Sequence, residues 1–418
     1  MEILVWINFA ITVLFAVCYS YQYIYIPISW FAKKKNNKKP EGVGTHTYAV
    51  LICARNEQEV IGDLIDCVKK QTYPTDKITT FVMADNCDDD TAEIAKAHGA
   101  VVYRRFNREQ VGKGYALEVL RRHINEDYPE GFDGYFIFDA DNLLEDDYIE
   151  QMDITFSEGN DIVTSYRNSK NYGSNWLSAG IALWFLRESR YLNYPRHILG
   201  NSCAVSGTGY MFSRKVADEL GEWPFHMLTE DIEFTIDQIT KGRKIAFCRK
   251  AEFYDEQPVE FMQSWNQRKR WSKGYLQVIM GYGKKLLSCS LHGSFSCFDM
   301  SMNIMPAFIL SALSIICNIS LGVIGAINGD NILIGVHSIF EFLSGLYAML
   351  FAVGAITTIT EWKHIHTTVV RKILYMFTFP VFMFTFLPIS IAALFSKTSW
   401  KPIRHTMSVK NMRNLQRG

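Results

Sequence analysis

Tyr135-Phe136-Ile137-Phe138-Asp139-Ala140-Asp141 places four largely apolar side chains directly before two carboxylates separated by one small residue. A short apolar run of this kind is the pattern of a strand buried on both faces, as in a parallel sheet. Alternate residues at a strand end point the same way, so Asp139 and Asp141 can face one ligand. Alone, an Asp-X-Asp triplet is more often a solvated turn or a helix cap. Its position after a buried strand reverses that reading. Hard carboxylate oxygens suit Mg²⁺ or Mn²⁺, which bridge to substrate phosphates while keeping some water.

Working outward, the same grammar repeats. Tyr48–Cys53 predicts a buried strand, followed by Arg55-Asn56-Glu57 and then Val60, Ile61, Leu64, Ile65 and Val68 at helical spacing. Ile78–Ala84 predicts a second strand ending in Asp85, Thr91–His98 a helix and Ala100–Tyr103 a short strand. Tyr115–Ile124 and Asp147–Phe156 read as helices, and Asp161–Ser165 as a strand. Alternating strands and helices predict an α/β fold with a mostly parallel sheet. Ligands of open α/β sheets bind beyond the carboxyl ends of the strands, where these polar clusters fall.

A dinucleotide site does not fit, because no GxGxxG follows the first strand. Gly112-Lys113-Gly114 lacks the spacing of a phosphate-binding Walker loop. Asp85-Asn86-Cys87-Asp88-Asp89-Asp90 carries four acids in six positions. Asp88–Asp90 are expected to start the helix at Thr91, leaving Asp85 as the functional candidate. Thr229-Glu230-Asp231 reads equally as a helix cap, with Thr229 capping, or as a source of a base for an attacking hydroxyl. Gln267-Arg268-Lys269-Arg270-Trp271 joins cations to an aromatic face, suited to a diphosphate and a sugar ring, or to a membrane surface. Asn201–Met211 is rich in small residues, as where backbone approaches a ligand closely.

Outside this region the composition changes. Ile3 to about Trp30, Phe308–Ile327, Ile332–Thr360 and Ile373–Phe395 are apolar and about 20 residues or longer, enough to span a hydrocarbon core of about 30 Å. The first segment starts Met1–Glu2 and is followed by Lys33, Lys34, Lys35, Lys38 and Lys39. Basic residues after the apolar run predict an anchor with the next domain in the cytosol, not a signal peptide. The tail carries Lys397, Lys401, Arg404, Lys410, Arg413 and Arg417, yet three further crossings would leave it outside. Pro380 and Pro388 interrupt the last segment, so a bent or re-entrant hairpin over Ile373–Phe395 is expected to return it. His337 and Glu341, four apart within an apolar segment, belong either to a polar path or to a pair on one helix face.

Lysine plus arginine and aspartate plus glutamate number 43 each, and no basic stripe occurs, which argues against nucleic acid as a partner. The nine cysteines form no CxxC pair and no zinc spacing, and read as reduced thiols. The expected organisation is an anchor (1–32), basic linker (33–47), catalytic domain (48–260), interfacial segment (261–300), membrane helices (301–396) and basic tail (397–418).

Asp85, Asp139-Ala140-Asp141, Thr229-Glu230-Asp231 and Gln267-Arg268-Lys269-Arg270-Trp271, in that order, resemble the membrane-bound family 2 glycosyltransferases. That group contains the cellulose, chitin, hyaluronan and poly-N-acetylglucosamine synthases, and the resemblance covers about residues 48–280. It implies a GT-A-type, Rossmann-like nucleotide-sugar domain. It further implies that Arg55, Asn56, Glu57, Asp85 and Lys113 contact the nucleotide, usually uridine, and that Asp141, assisted by Asp139, holds Mg²⁺ or Mn²⁺. Gln267 and Arg270 would contact the diphosphate. Gly207, Thr208, Glu230 and Trp271 would lie at the acceptor, with Asp231 the base of an inverting transfer. The activity implied is metal-dependent hexosyl transfer from a UDP-sugar to a growing β-linked polysaccharide in a bacterial cell membrane, with the catalytic domain cytosolic. A non-processive enzyme acting on a membrane lipid is the alternative, and a nucleotide-sensing scaffold without activity a further one. Four apolar segments make a narrow bundle, so an oligomer or accessory subunit is expected for a polymer channel.

Overall fold

The computed structural model describes residues 2–32, 40–329, 331–396 and 405–407. The linker lysines and the basic tail residues named above lie outside the described residues. In chain order the elements are α1 (Glu2–Phe31), β1 (Tyr48–Ala54), α2 (Ile61–Lys69), β2 (Ile78–Asp85), α3 (Thr91–Ala97), β3 (Val101–Arg105) and α4 (Lys113–Asp127). Next come β4 (Gly134–Asp139), β5 (Leu143–Leu144), α5 (Tyr148–Ser157), β6 (Ile162–Ser169), α6 (Trp176–Arg187) and α7 (Tyr194–Ile198). Then follow β7 (Tyr210–Ser213), α8 (Arg214–Leu220), α9 (Glu230–Thr240), β8 (Ile245–Asp255) and α10 (Phe261–Leu291). The chain ends with α11 (Phe295–Ile304), α12 (Pro306–Ile327), α13 (Ile332–Thr360), α14 (Val369–Phe384) and α15 (Phe386–Phe395).

One sheet has the order β3-β2-β1-β4-β7-β6-β8-β5. β1 lies parallel between β2 and β4, and β6 is parallel to β8. β7 runs antiparallel to both β4 and β6. The mostly parallel α/β sheet expected from the alternation is present, and its central strands β1 and β4 are buried on both faces, which is why they are apolar. Phe136 and Phe138 of β4 pack with Leu64, Ile65 and Ile149 of α2 and α5 on one face. Ile137 packs with Leu117 and Leu120 of α4 and with Phe212 and Trp223 on the other. Each such large side chain, fully buried, contributes about 1.5–3 kcal/mol.

Three helical stretches are long and apolar enough to cross a membrane: Glu2–Phe31, Leu333–Thr360 and Val369–Phe395, with a shorter apolar helix at Leu313–Ile327. α1, α12 and α13 are tied by Asn8, whose side-chain amide donates to Asn318 (3.1 Å) and Ser338 (3.1 Å). Such interhelical hydrogen bonds hold helices together where lipid gives no hydrophobic drive.

The last apolar segment is kinked at Thr385, between Pro380 and Pro388, where α14 gives way to α15. α14 packs on α6 and α13, and α15 on α10 and α12. Ten residues past Phe395, His405 touches Glu57 at the end of β1. His405 thus lies beside the carboxyl ends of the strands. His337 and Glu341 pair at 3.1 Å on one face of α13, mostly exposed, as their spacing of four allows.

Candidate active site

The ends of β1, β2 and β4 open into one cavity of about 510 Å³. Arg55, Glu57, Asp85, Asp139 and Asp141 line it, as do Lys113 from the start of α4 and Gly207 from the loop before β7. Glu230 and Asp231 enter from the first turn of α9, and Gln267, Arg270 and Trp271 from α10. Residues 267, 270 and 271 share one helix face by their spacing of three and four. Arg268 projects elsewhere. It is buried, lies over the rings of Phe382 (4.5 Å) and Phe386 (4.9 Å), and donates to Thr385 at the kink.

Two expected contacts are not at the cavity. Asn56 sits at φ 58° and its side-chain oxygen accepts from the Asp88 backbone (2.9 Å), bracing the turn. Thr208 is buried, its hydroxyl donating to Asn142 and accepting from the Asp139 backbone (2.9 Å). Its role is to support the Asp139 turn. The helix after Asp88–Asp90 starts at Thr91 as expected, with Asp90 at the N-cap and Asp89 accepting from Thr91 N (3.1 Å), and Thr229 occupies the N-cap of α9 without a capping hydrogen bond.

The carboxylates are individually anchored. Asp85, 5% exposed, accepts from Arg105 Nη1 at 2.6 Å. Lys113 Nζ bridges Asp139 and the Gly207 carbonyl oxygen (2.8 Å). Burial alone would pull Lys113 down, but Asp139 and Glu230 outweigh it and hold its pKa above the ordinary lysine value. Asp141, 4% exposed, accepts from Glu256 N at 2.7 Å. Burial would raise its pKa, yet His405 and Lys170 outweigh that and keep it below the usual carboxylate range. Burial, then the neighbouring Asp231, push Glu230 up to about 7. Burial likewise raises Asp231. Gly207, at φ 81°, brings its loop beside that carboxylate: a Cβ there would lie 3.6 Å from Asp231 Oδ2.

Several residues at the site were not singled out from sequence. His405 Nδ1 lies 2.9 and 3.0 Å from the two oxygens of Glu57. Glu256 accepts from the backbone of Thr406 (3.0 Å) and Met407 (2.8 Å), so a piece of the tail closes one wall of the cavity. Asp255 and Glu256 end β8 as Asp85 ends β2, and the apolar run before them was the available signal. For His405, 348 residues from Glu57, sequence offers no signal.

The wall facing α13, α14 and α15 is apolar: Leu346, Met349, Val353, Met383 and Leu387 line the same cavity as Asp231 and Trp271. Among the described residues no group of three His, Cys, Asp or Glu side chains is placed to hold a metal ion alone.

Residues 46–274, more than half of the chain, match the family model described as glycosyltransferase like family 2. A β-monoglucosyldiacylglycerol synthase of Trichormus variabilis is 24% identical over 298 residues, covering 68% of this chain and 60% of that protein. A poly-β-1,6-N-acetyl-D-glucosamine synthase of Staphylococcus epidermidis is 24% identical over 253 residues, covering 59% of this chain and 58% of that protein. The chain thus spans about 60% of the length of these curated relatives. A mannosyltransferase of Pyrobaculum calidifontis, solved with GDP-Man and Mn²⁺, superposes with a TM-score of 0.57 at 16% identity, covering 94% of this chain and 99% of that one. That superposition shows the fold: the sheet is of the GT-A type.

Proposed function

The chain belongs to glycosyltransferase-like family 2, and on that premise we propose that it moves a sugar from a nucleoside-diphosphate sugar onto an acceptor lipid that enters between its membrane helices. The observation that carries this reading is the continuity of the cavity, which joins Asp231 and Trp271 to Leu346, Met349, Val353 and Leu387. An amphipathic acceptor matches such a wall. A growing polysaccharide, hydroxylated along its length, would leave its groups unsatisfied there. The β-monoglucosyldiacylglycerol synthase relative names a product of this kind, and the poly-β-1,6-N-acetyl-D-glucosamine synthase names the polymer alternative.

In this reading Arg55, Glu57 and Asp85 receive the nucleoside, for which the sequence reading favours uridine. Arg270 and Gln267 receive the diphosphate. Asp141 and Asp139 fit a divalent cation: Asp141 keeps its charge although buried, and both offer hard oxygens. With no third such ligand among the described residues, the remaining ligands would be donor phosphates and water. Bound there, Mg²⁺ or Mn²⁺ would offset negative charge on the departing diphosphate. Lys113 holds Asp139 and the Gly207 loop in place. Asp231 takes the proton from the acceptor hydroxyl. The oxygen bonds to the anomeric carbon as the bond to the diphosphate breaks, inverting that centre. The catalytic domain faces the cytosol, as the lysines after α1 imply.

The test uses protein in nanodiscs of defined lipid, Mn²⁺ and radiolabelled UDP- and GDP-sugars. A labelled product that partitions into organic solvent and migrates as one glycolipid is expected. A high-molecular-weight polymer would put the polysaccharide reading in its place.

A further inference from the structure

The stretch from β6 to α7 carries four arginines that reach the level where the catalytic domain meets the membrane helices, and three of them have carboxylate partners. Arg196 is fully buried and bonds both oxygens of Asp299, at 2.7 and 2.9 Å. Arg190 lies 3.2 Å from Glu361, and Arg167 Nε 2.8 Å from Asp255. Arg187, at the end of α6, differs. Its guanidinium donates to the neutral side-chain oxygen of Gln22 in α1 (2.8 Å), and among the described residues it forms no ion pair. The adjacent Glu188 instead accepts from Ser206.

Burial and then Arg196 depress the Arg187 pKa below the ordinary guanidinium value, with Glu188 pulling the other way. A half-buried guanidinium held by a neutral amide gains most from an anion, since charge-assisted bonds are the strong ones. Arg187 and Gln22 line the same cavity as Asp231, together with Tyr19 and Tyr23 of α1. Gln22 belongs to a helix long and apolar enough to span the bilayer, near the end that leads into the catalytic domain. A lipid entering along that helix would bring an anion of its own, the phosphate of its headgroup.

We propose that Arg187, oriented by Gln22, is an anion subsite for the acceptor, which is therefore a lipid bearing a phosphate group as well as the attacking hydroxyl. The assignment rests on the lipid-acceptor reading given above. The phosphate sits at Arg187, the acyl or prenyl chain lies along Met349 and Val353, and the hydroxyl points toward Asp231. The chemistry of transfer is unchanged: the hydroxyl proton goes to Asp231 and the phosphate stays intact.

The experiment compares phosphatidic acid with diacylglycerol of the same chains, measured by native mass spectrometry of the detergent-solubilised full chain. Wild type is expected to retain phosphatidic acid about tenfold or more over diacylglycerol, the ratio one charge-assisted hydrogen bond supports. Arg187→Gln should bring the ratio near one, and Arg187→Lys should keep part of it. Binding of Mn²⁺ and nucleotide by both variants controls for folding. The preference should persist in 0.5 M salt, because a sequestered pair is poorly screened. A preference that survives Arg187→Gln, or one abolished by salt in wild type, marks annular lipid and overturns the subsite. In the product assay, glycosylation of phosphatidylglycerol, which carries both a phosphate and free hydroxyls, that is equal in wild type and Arg187→Gln overturns this inference alone. A polymer product overturns the lipid reading and the inference with it.

Discussion

Gly274 of α10 lies against Thr229 at the N-terminus of α9, so close that a methyl group at 274 would come within 2.5 Å of Thr229 Cγ2 and Oγ1. The contact sets the helix carrying Arg270 and Trp271 at a fixed height above the turn carrying Glu230 and Asp231. It also explains why Thr229 Oγ1 is buried without a hydrogen bond: the side chain is there to pack.

Gly274→Ala should therefore separate the two helices. Overpacking of this kind costs about 1–3 kcal/mol, and here it falls on catalytic geometry. Turnover is expected to drop at least tenfold while nucleotide affinity stays within a few-fold. Steady-state kinetics with an isothermal binding measurement checks this; unchanged kcat would mean that the helix spacing is not critical.

Asp231→Asn removes the proposed base but keeps the shape of the turn. A general base contributes about 10²–10⁴-fold, so turnover should fall by that amount with donor binding retained. Loss of donor binding would assign Asp231 to structure instead.

Glu230 gives a pH signature. Its folded pKa, about 7, lies above its ordinary value of 4.5, so between those values the folded state holds a proton that the unfolded state releases. Stability then falls as pH rises through that window. The thermal midpoint in detergent should decline from pH 5 to pH 7.5, and Glu230→Gln should flatten the slope. A slope identical in the variant would place its origin elsewhere.

The tail contact titrates at the other end. Burial would lower the His405 pKa, but Asp141 and Glu57 outweigh it and lift it to about 10. Its stabilising charge is complete below the ordinary histidine value of 6.5 and is lost as pH rises through about 10. Without added metal, the thermal midpoint should fall as pH rises from 8 toward 10. His405→Ala should flatten that fall, and equal slopes for the two proteins would refute the docking.

Much of the catalytic sheet could be read in the sequence because β1, β4 and the second half of β2 are buried on both faces. Such stretches are apolar and end where polarity begins, within one or two residues of Ala54, Asp85 and Asp139. β8 is harder to read, since Arg249 and Lys250 are exposed in mid-strand and break its apolar run. The face of α10 was legible only as a composition. Which of its arginines reaches the cavity depends on α15, whose Phe386 and the kink at Thr385 hold Arg268 away.

The sequence by itself determined the element order, the apolar segments and the acids that end the strands, because each follows from local periodicity and local polarity. It also carried the spacing that identifies the family. Only the tertiary structure decided that Asn56 and Thr208 brace turns, that His405 meets Glu57, and that Arg187 has a neutral partner. It also joined the active site to an apolar membrane wall in one cavity. Those relations link residues up to 348 positions apart. No local pattern encodes them; they arise when packing forces distant side chains to share one buried space and to satisfy one another's charge.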